Sequence, residues 1–174
     1  PSGATITNSG TATGFGGITV ADQWRLTSAF SMTSSTTETI SSNLERVDTS
    51  GQGTIGTAMS ESSGVFTFPS TGIYLVSFNA SFQLNNNSRW IEFAIQATTN
   101  NSSYSHMAMQ NTFIQQTDSN ATYAAGYANS LIDVTDTANV KVRFGVARAA
   151  NTVSLTGSSS ENQTYFTFIR LGDT

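Results

Sequence analysis

The chain has no cysteine, only two prolines, a single histidine and few charges: Lys, Arg, Asp and Glu make up 10% of its 174 residues. Without cysteine there can be no disulfide, no thiolate nucleophile and no thiolate metal ligand. The single histidine, His106, lies in Asn101-Ser102-Ser103-Tyr104-Ser105-His106 with no Gly-x-Ser-x-Gly elbow or other recognisable partner, so a catalytic triad is not expected. The seven Lys and Arg residues are scattered and form no basic stripe that could neutralise phosphates, which argues against nucleic acid as a partner. No apolar run approaches the roughly 20 residues of a membrane-spanning helix, so no membrane insertion is expected. No charged-then-apolar leader opens the chain, and any signal peptide is expected to be absent or already removed. A start at Pro1 suits either a mature chain that has lost its initiator methionine or an excised piece.

What the chain has in excess is Ser, Thr and Asn, together about 38% of residues against a far lower globular average. Hydrophobic residues are 37%, aromatic residues 10%, and the net charge is −4. Disorder goes with low hydrophobicity and high net charge, so this composition folds, with a neutral surface rich in hydroxyls and amides. The length suits one domain with a real core. A small domain without disulfides needs another stabiliser, and oligomerisation is the obvious one.

Residues 1–21, rich in Gly, Ser and Thr, read as an extended arm that a neighbour must pin, with Phe15 and Ile18 as its apolar anchors. From residue 22 to 174 the pattern is β. Trp24, Leu26 and Phe30 anchor a first strand, and residues 31–63 read as short edge strands and loops. Phe66 and Phe68 alternate, Pro69 to Gly72 is a turn, and Tyr74, Val76, Phe78, Ala80 and Phe82 form a row of period two. In the next strand Ile91, Phe93 and Ile95 face the core. Further strands are expected over about 104–116 and 121–134, through Val140, Val142, Phe144 and Val146, briefly over 152–155, and over 164–171. The last carries Tyr165, Ile169 and Leu171 on one side and Phe166 and Phe168 on the other. A strand apolar on both faces is covered on both, here by another subunit. No segment has a helical period, and short strands with polar turns point to an all-β sandwich or jelly roll.

The run Gly64-x-Phe66-x-x-Pro69-x-x-Gly72-x-Tyr74, followed by Phe78, resembles the globular head of complement component one-q, which shares its fold with tumour necrosis factor (TNF). The spacing Leu131–Asp136–Val140 resembles that family's late strand–turn–strand, and Tyr165-Phe166-Thr167-Phe168-Ile169 resembles its closing strand. The match spans about 22–174. The resemblance implies a ten-strand jelly roll that forms a three-fold homotrimer, with Tyr74, Phe78, Tyr165 and Phe168 in core or inter-subunit packing. The chain lacks the family's collagen-like stalk and cysteines, and its Ser/Thr/Asn-rich loops are similar to bacteriophage virion versions of the fold.

The expected function is therefore non-enzymatic: a trimeric capsid decoration or cement protein, or a head spike, made in the host cytoplasm and displayed on the virion surface. Its partners would be itself and the major capsid protein or another virion protein. One alternative is a fibre tip that binds host surface glycans, and another is a secreted complement-one-q-like adhesion module. Candidate ligand loops are Asn85, Asn86, Asn87, Asn100 and Asn101, and Ser158 to Ser160, because polar loops at the ends of a rigid sandwich often bind. Glu38, Glu45, Asp48, Glu61, Glu92 and Asp118 are scattered and suggest no glycosidase pair. Asp133 and Asp136 lie near a turn and read as an Asx-type turn in preference to a calcium site, which needs six to eight oxygens. Six Asn-x-Ser/Thr patterns occur, as chance allows in such a composition. No cofactor is expected.

Overall fold

The computed structural model describes residues 17–174. Within them the chain forms thirteen strands and no helix. These are β1 (Ala21–Leu26), β2 (Phe30–Met32), β3 (Glu38–Thr39), β4 (Leu44–Arg46), β5 (Ser60–Ser62), β6 (Val65–Thr67) and β7 (Gly72–Leu84), then β8 (Ser88–Thr98), β9 (Ser105–Ile114), β10 (Thr122–Val134), β11 (Lys141–Arg148), β12 (Val153–Leu155) and β13 (Tyr165–Gly172). The excess over ten consists of two- and three-residue pieces, mostly in the Ser/Thr-rich stretch read as short edge strands. The expected first strand divides, because the chain turns at 27–29 and Phe30 opens β2. Val20 is buried and β1 begins at Ala21, so the fold takes in the last residues of the expected arm. Phe15 and residues 1–16 lie outside the described residues.

The strands make two antiparallel sheets. The first runs β2-β12-β7-β13-β1-β4, with β10 paired along the whole of β7 from Thr122↔Leu84 to Val134↔Gly72. The second runs β5-β6-β11-β8-β9, with β3 paired to β11. Strands β7 and β10 are thirteen residues each, and long period-two strands pair in one register only, since a one-residue slip would turn every apolar side chain outward.

The core is the slab between the sheets. Strand β7 buries Tyr74, Val76, Phe78, Ala80 and Phe82, β8 buries Ile91, Phe93 and Ile95, and β13 buries Phe166 and Phe168. Phenylalanines from both sheets meet in the middle. The Phe144 and Phe166 rings stack at 4.0 Å between centroids, and Phe66 contacts Trp24, Phe144, Phe166 and Phe168 within 6.0 Å. Phe78 meets Phe93 edge-on at 5.8 Å. Each such ring contributes about 1.5–3 kcal/mol by burial, and close aromatic pairs add roughly 0.5–1.5 kcal/mol.

The turn entering β7 is closed by Tyr74. Its ring lies 4.7 Å from Phe68, and its hydroxyl donates to the Ser70 carbonyl at 3.0 Å. Gly72 has φ 136°, and a Cβ there would lie 2.5 Å from the Gly172 carbonyl oxygen, so the motif glycine is required by backbone conformation and by close approach. Asp22, buried on the core face of β1, accepts from the Trp24 indole at 3.1 Å and the Met59 amide at 2.9 Å, with Arg46 Nε at 3.3 Å.

Phe144→Ala is expected to lower unfolding stability by about 3–5 kcal/mol, because its ring holds the two sheets together through three phenylalanine neighbours in addition to Phe66's own cluster. Urea denaturation measures this. A loss near that of an exposed substitution would show that the inter-sheet cluster is not the stabilising centre.

Candidate functional site

The two outward sheet faces are built differently. On the six-stranded sheet, polar side chains cover one another. Arg143 donates to Gln96 Oε1 at 2.8 Å and lies 4.0 Å over the Tyr104 ring, and Thr37 donates to Glu92 at 2.9 Å. Burial pushes the Tyr104 phenol above its ordinary pKa, against the opposing pull of Arg143. Ala94 and Gln96 are buried beneath this layer.

Among the described residues, the outward face of the seven-stranded sheet has no such cover over most of its width. The strand register arranges it in rows. Leu131, Leu75, Ile169 and Ala21 lie side by side across β10, β7, β13 and β1. A polar row of Asn129, Ser77, Thr167 and Gln23 follows, then Tyr127, Asn79, Tyr165 and Arg25. Leu131 is 62% exposed, Tyr127 52% and Tyr123, further along β10, 63%. Tyr127 reaches Ser77 with its hydroxyl at 3.2 Å. On the six-stranded sheet, edge strand β9 exposes Met107, Met109 and Phe113, with Met109 across from Ala94.

Packing explains why β10 presents its bulky side. Its residues alternate between Tyr123, Ala125, Tyr127, Asn129 and Leu131 on one face and Ala124, Gly126, Ala128, Ser130 and Ile132 on the other. The rule that larger apolar groups go inside would bury the first set. The slab is already filled by Phe78, Phe82 and Phe93, and a Cβ on Gly126 would lie 2.1 Å from the Phe93 ring. Beside Phe93 only Ala124, Gly126 and Ala128 fit inside, so with the strict alternation of the strand the tyrosines and Leu131 face out.

Of the residues singled out from sequence, Tyr74, Phe78 and Phe168 lie fully buried between the sheets, and Tyr165 lies half-buried on the outward face. Ile169 shares that face, Leu171 is exposed at the register shift after Arg170, and Ile18 is exposed just before β1. The asparagine loops fall at the two ends of β8 and are largely occupied by their own turns. Gln116 donates to Asn85 Oδ1 at 2.6 Å from its side chain and to Asn87 Oδ1 at 2.7 Å from its amide, while Asn86 Oδ1 accepts from the Asn87 amide at 2.8 Å. Asn100 Oδ1 accepts from Thr98 at 2.9 Å and from the Ser102 and Ser103 amides at 3.1 and 2.9 Å, and the Asn101 amide donates to the Asn139 carbonyl at 2.9 Å.

The serine loop is a clasp. Arg25 is on the outward face of β1 yet fully buried, because two loops close over it. It meets Glu45 at 2.7 Å, Asp48 at 2.8 Å and Thr49 at 2.7 Å, and donates to the Ser159 carbonyl. The Ser158 amide donates to Leu26 O at 2.8 Å and Thr49 to Ser160 O at 3.0 Å. Asp136 caps its own turn: the Ala138 amide at 2.7 Å and the Asn139 side chain at 2.6 Å hold its carboxyl below the ordinary range. Asp133 is exposed on β10, and His106 is exposed on β9. Among the described residues, no three His, Asp or Glu side chains gather as a metal site. The sequence reading missed Tyr123, Tyr127, Leu131, Leu75 and the β9 residues. Their one visible signal is the four-residue spacing of Tyr123, Tyr127 and Leu131, all on one face of a strand.

No protein-family model matches the chain, and no curated protein matches it. Solved structures do. The Eiger TNF structure from S. frugiperda superposes with a TM-score of 0.63 at 11% identity, covering 90% of this chain and 95% of that one. Murine APRIL at pH 5.0 gives 0.59 at 12%, covering 87% and 98%. At pH 8.0 it gives 0.54 at 14%, with the same coverage. The chain has a TNF-like jelly-roll fold.

Removing Glu45 leaves a buried guanidinium whose one remaining counter-charge among the described residues is the exposed Asp48. Glu45→Ala is therefore expected to cost about 3 kcal/mol and to speed amide exchange at Ser158 and Ser160. Asp48→Ala, whose side chain is 79% exposed, is expected to cost under about 1 kcal/mol. Chemical denaturation with hydrogen exchange checks both, and equal costs would show that the clasp does not depend on burial.

Proposed function

We propose that this TNF-like jelly roll is a non-catalytic homotrimer that decorates a bacteriophage particle, as a cement or head-spike protein attached to the major capsid protein. The observation that carries the assembly is the unpartnered apolar face of the seven-stranded sheet. Leu131, Leu75 and Ile169 lie side by side on it, and Tyr127 and Tyr165 stand on the same face beyond one polar row. Contiguous exposed apolar surface of this kind marks an interaction site.

The partner surface is supplied by the same chain. Strand β9 carries a second, different apolar strip of Met107, Met109 and Phe113 at the edge of the sandwich. When two unlike patches of one chain meet, the contact is heterologous, and it closes into a ring when the rotation allows. Three-fold closure places the sheet face of each copy toward the axis and its β9 edge against a neighbour. Membership of a virion is supported by composition: a neutral, cysteine-free surface of hydroxyls and amides suits a protein exposed outside the cell and stabilised by assembly. Ile18, exposed just before the first strand, belongs to the segment proposed to contact the capsid shell.

Native mass spectrometry is expected to give the mass of three 18.4 kDa chains. Leu131→Asp is expected to give single chains with an unchanged β spectrum, because it places a charge in the apolar row. A monodisperse monomer of the unaltered chain at micromolar concentration would overturn the assembly. Ile18→Asp is expected to leave the trimer intact and to abolish cosedimentation with phage capsids; retained cosedimentation would overturn the anchor.

A further inference from the structure

We infer that a cleft at the polar end of the same sheet is a binding site for a neutral carbohydrate. It has a volume of about 420 Å³ and is lined by Ser81 and Gln83 of β7, Tyr123 of β10, and Thr156 and Gln163 beyond β12. The register puts Tyr123 directly across from Gln83, so a largely exposed aromatic ring stands beside an amide on one floor. The site lies at the far end of that face from the row of Leu131, Leu75 and Ile169, and all of its lining residues come from one chain.

Most of its side-chain hydrogen-bonding groups have no partner among the described residues. Among the described residues, Ser81 Oγ, the Gln83 amide and the Tyr123 hydroxyl make no hydrogen bond within the protein, in contrast to the asparagine loops. Gln163 donates from Nε2 to Glu161 at 2.9 Å, which leaves its Oε1 as an acceptor. The framework around these groups is fixed. The Ser81 carbonyl accepts from the Thr156 amide at 2.8 Å and from Thr164 Oγ1 at 3.3 Å, and the Ser81 amide donates to Thr164 Oγ1 at 3.2 Å. Thr164 itself is fully buried. A rigid floor reduces the ordering cost of binding.

The lining chemistry selects the ligand class. No Lys, Arg, Asp or Glu lines the cleft, so it offers neither a counter-charge to an anion nor ligands to a cation. Amides and hydroxyls make it too polar for an apolar molecule. An aromatic face flanked by amide and hydroxyl donors and acceptors matches a sugar ring, which presents C–H groups on one side and hydroxyls around its rim.

The test is saturation-transfer NMR on the whole chain with maltotriose and tri-N-acetylchitotriose, and with sialyllactose as the anionic comparator. Transfer to at least one neutral oligosaccharide is expected at millimolar concentration. Tyr123→Ala and Gln83→Ala are expected to weaken it about tenfold or more, Tyr123→Phe to retain most of it, and Asn86→Ala to leave it unchanged. Tyr123 is on the surface, so these variants keep the fold, as circular dichroism checks. Absence of transfer to both neutral probes, transfer that survives both alanine substitutions, or preference for sialyllactose would overturn the assignment.

Discussion

The phenylalanine cluster that spans the two sheets is the constraint on which the rest of the molecule depends. Two antiparallel sheets pack about 10 Å apart, and that gap holds a fixed volume of side chain. Phe66, Phe93 and Phe144 enter from one sheet and Phe78, Phe82, Phe166 and Phe168 from the other, and their rings contact one another across the gap. Where the gap is filled, β10 contributes only Ala124, Gly126 and Ala128, with Gly126 beneath Phe93, and its larger inner residues Ile132 and Val134 come at its far end. The bulky half of β10 is turned outward, and the apolar outward face follows from the packing of the interior.

The few charged groups follow a consistent placement. Arg25 is buried by loops that it also fastens, Arg143 and Tyr104 roof the six-stranded sheet, and Asp22 joins β1 to Arg46 and Met59. None of them stands on the apolar row. The middle of one outward face is thereby covered by its own polar layer, while the described residues leave Leu131 and Tyr127 exposed on the other. Its two ends differ in chemistry: aliphatic at Leu131, Leu75 and Ile169, and rich in amides and hydroxyls at Gln83, Ser81 and Gln163.

A binding and assembly role fits this distribution better than catalysis. His106 is exposed on an edge strand, the Asp136 carboxyl is held by its own turn, and Glu45 and Asp48 serve the buried arginine. The polar groups left free are uncharged and converge beside a tyrosine. These groups are the basis of the carbohydrate site proposed above.

Much of the fold was legible because a β-strand with one buried face writes its orientation into every second residue. The rows Tyr74–Phe82, Ile91–Ile95 and Val140–Val146, the motif from Gly64 to Tyr74 and the strand-level reading of 104–116 and 121–134 all rest on that local regularity. The Asx turn at Asp136 was legible for the same reason, being made within four residues. The site was not. Whether Ser158 to Ser160 meets a ligand or a buried Arg25 depends on a residue some 130 positions away, and whether Tyr127 faces in or out depends on how much room Phe93 leaves. Sequence by itself determined which residues alternate, where the chain turns and that its surface is neutral, because these are properties of neighbours along the backbone. Only the tertiary structure decided which face of β10 is covered and which polar groups remain free, because volume and hydrogen-bonding capacity are shared among residues distant in the chain and close in space.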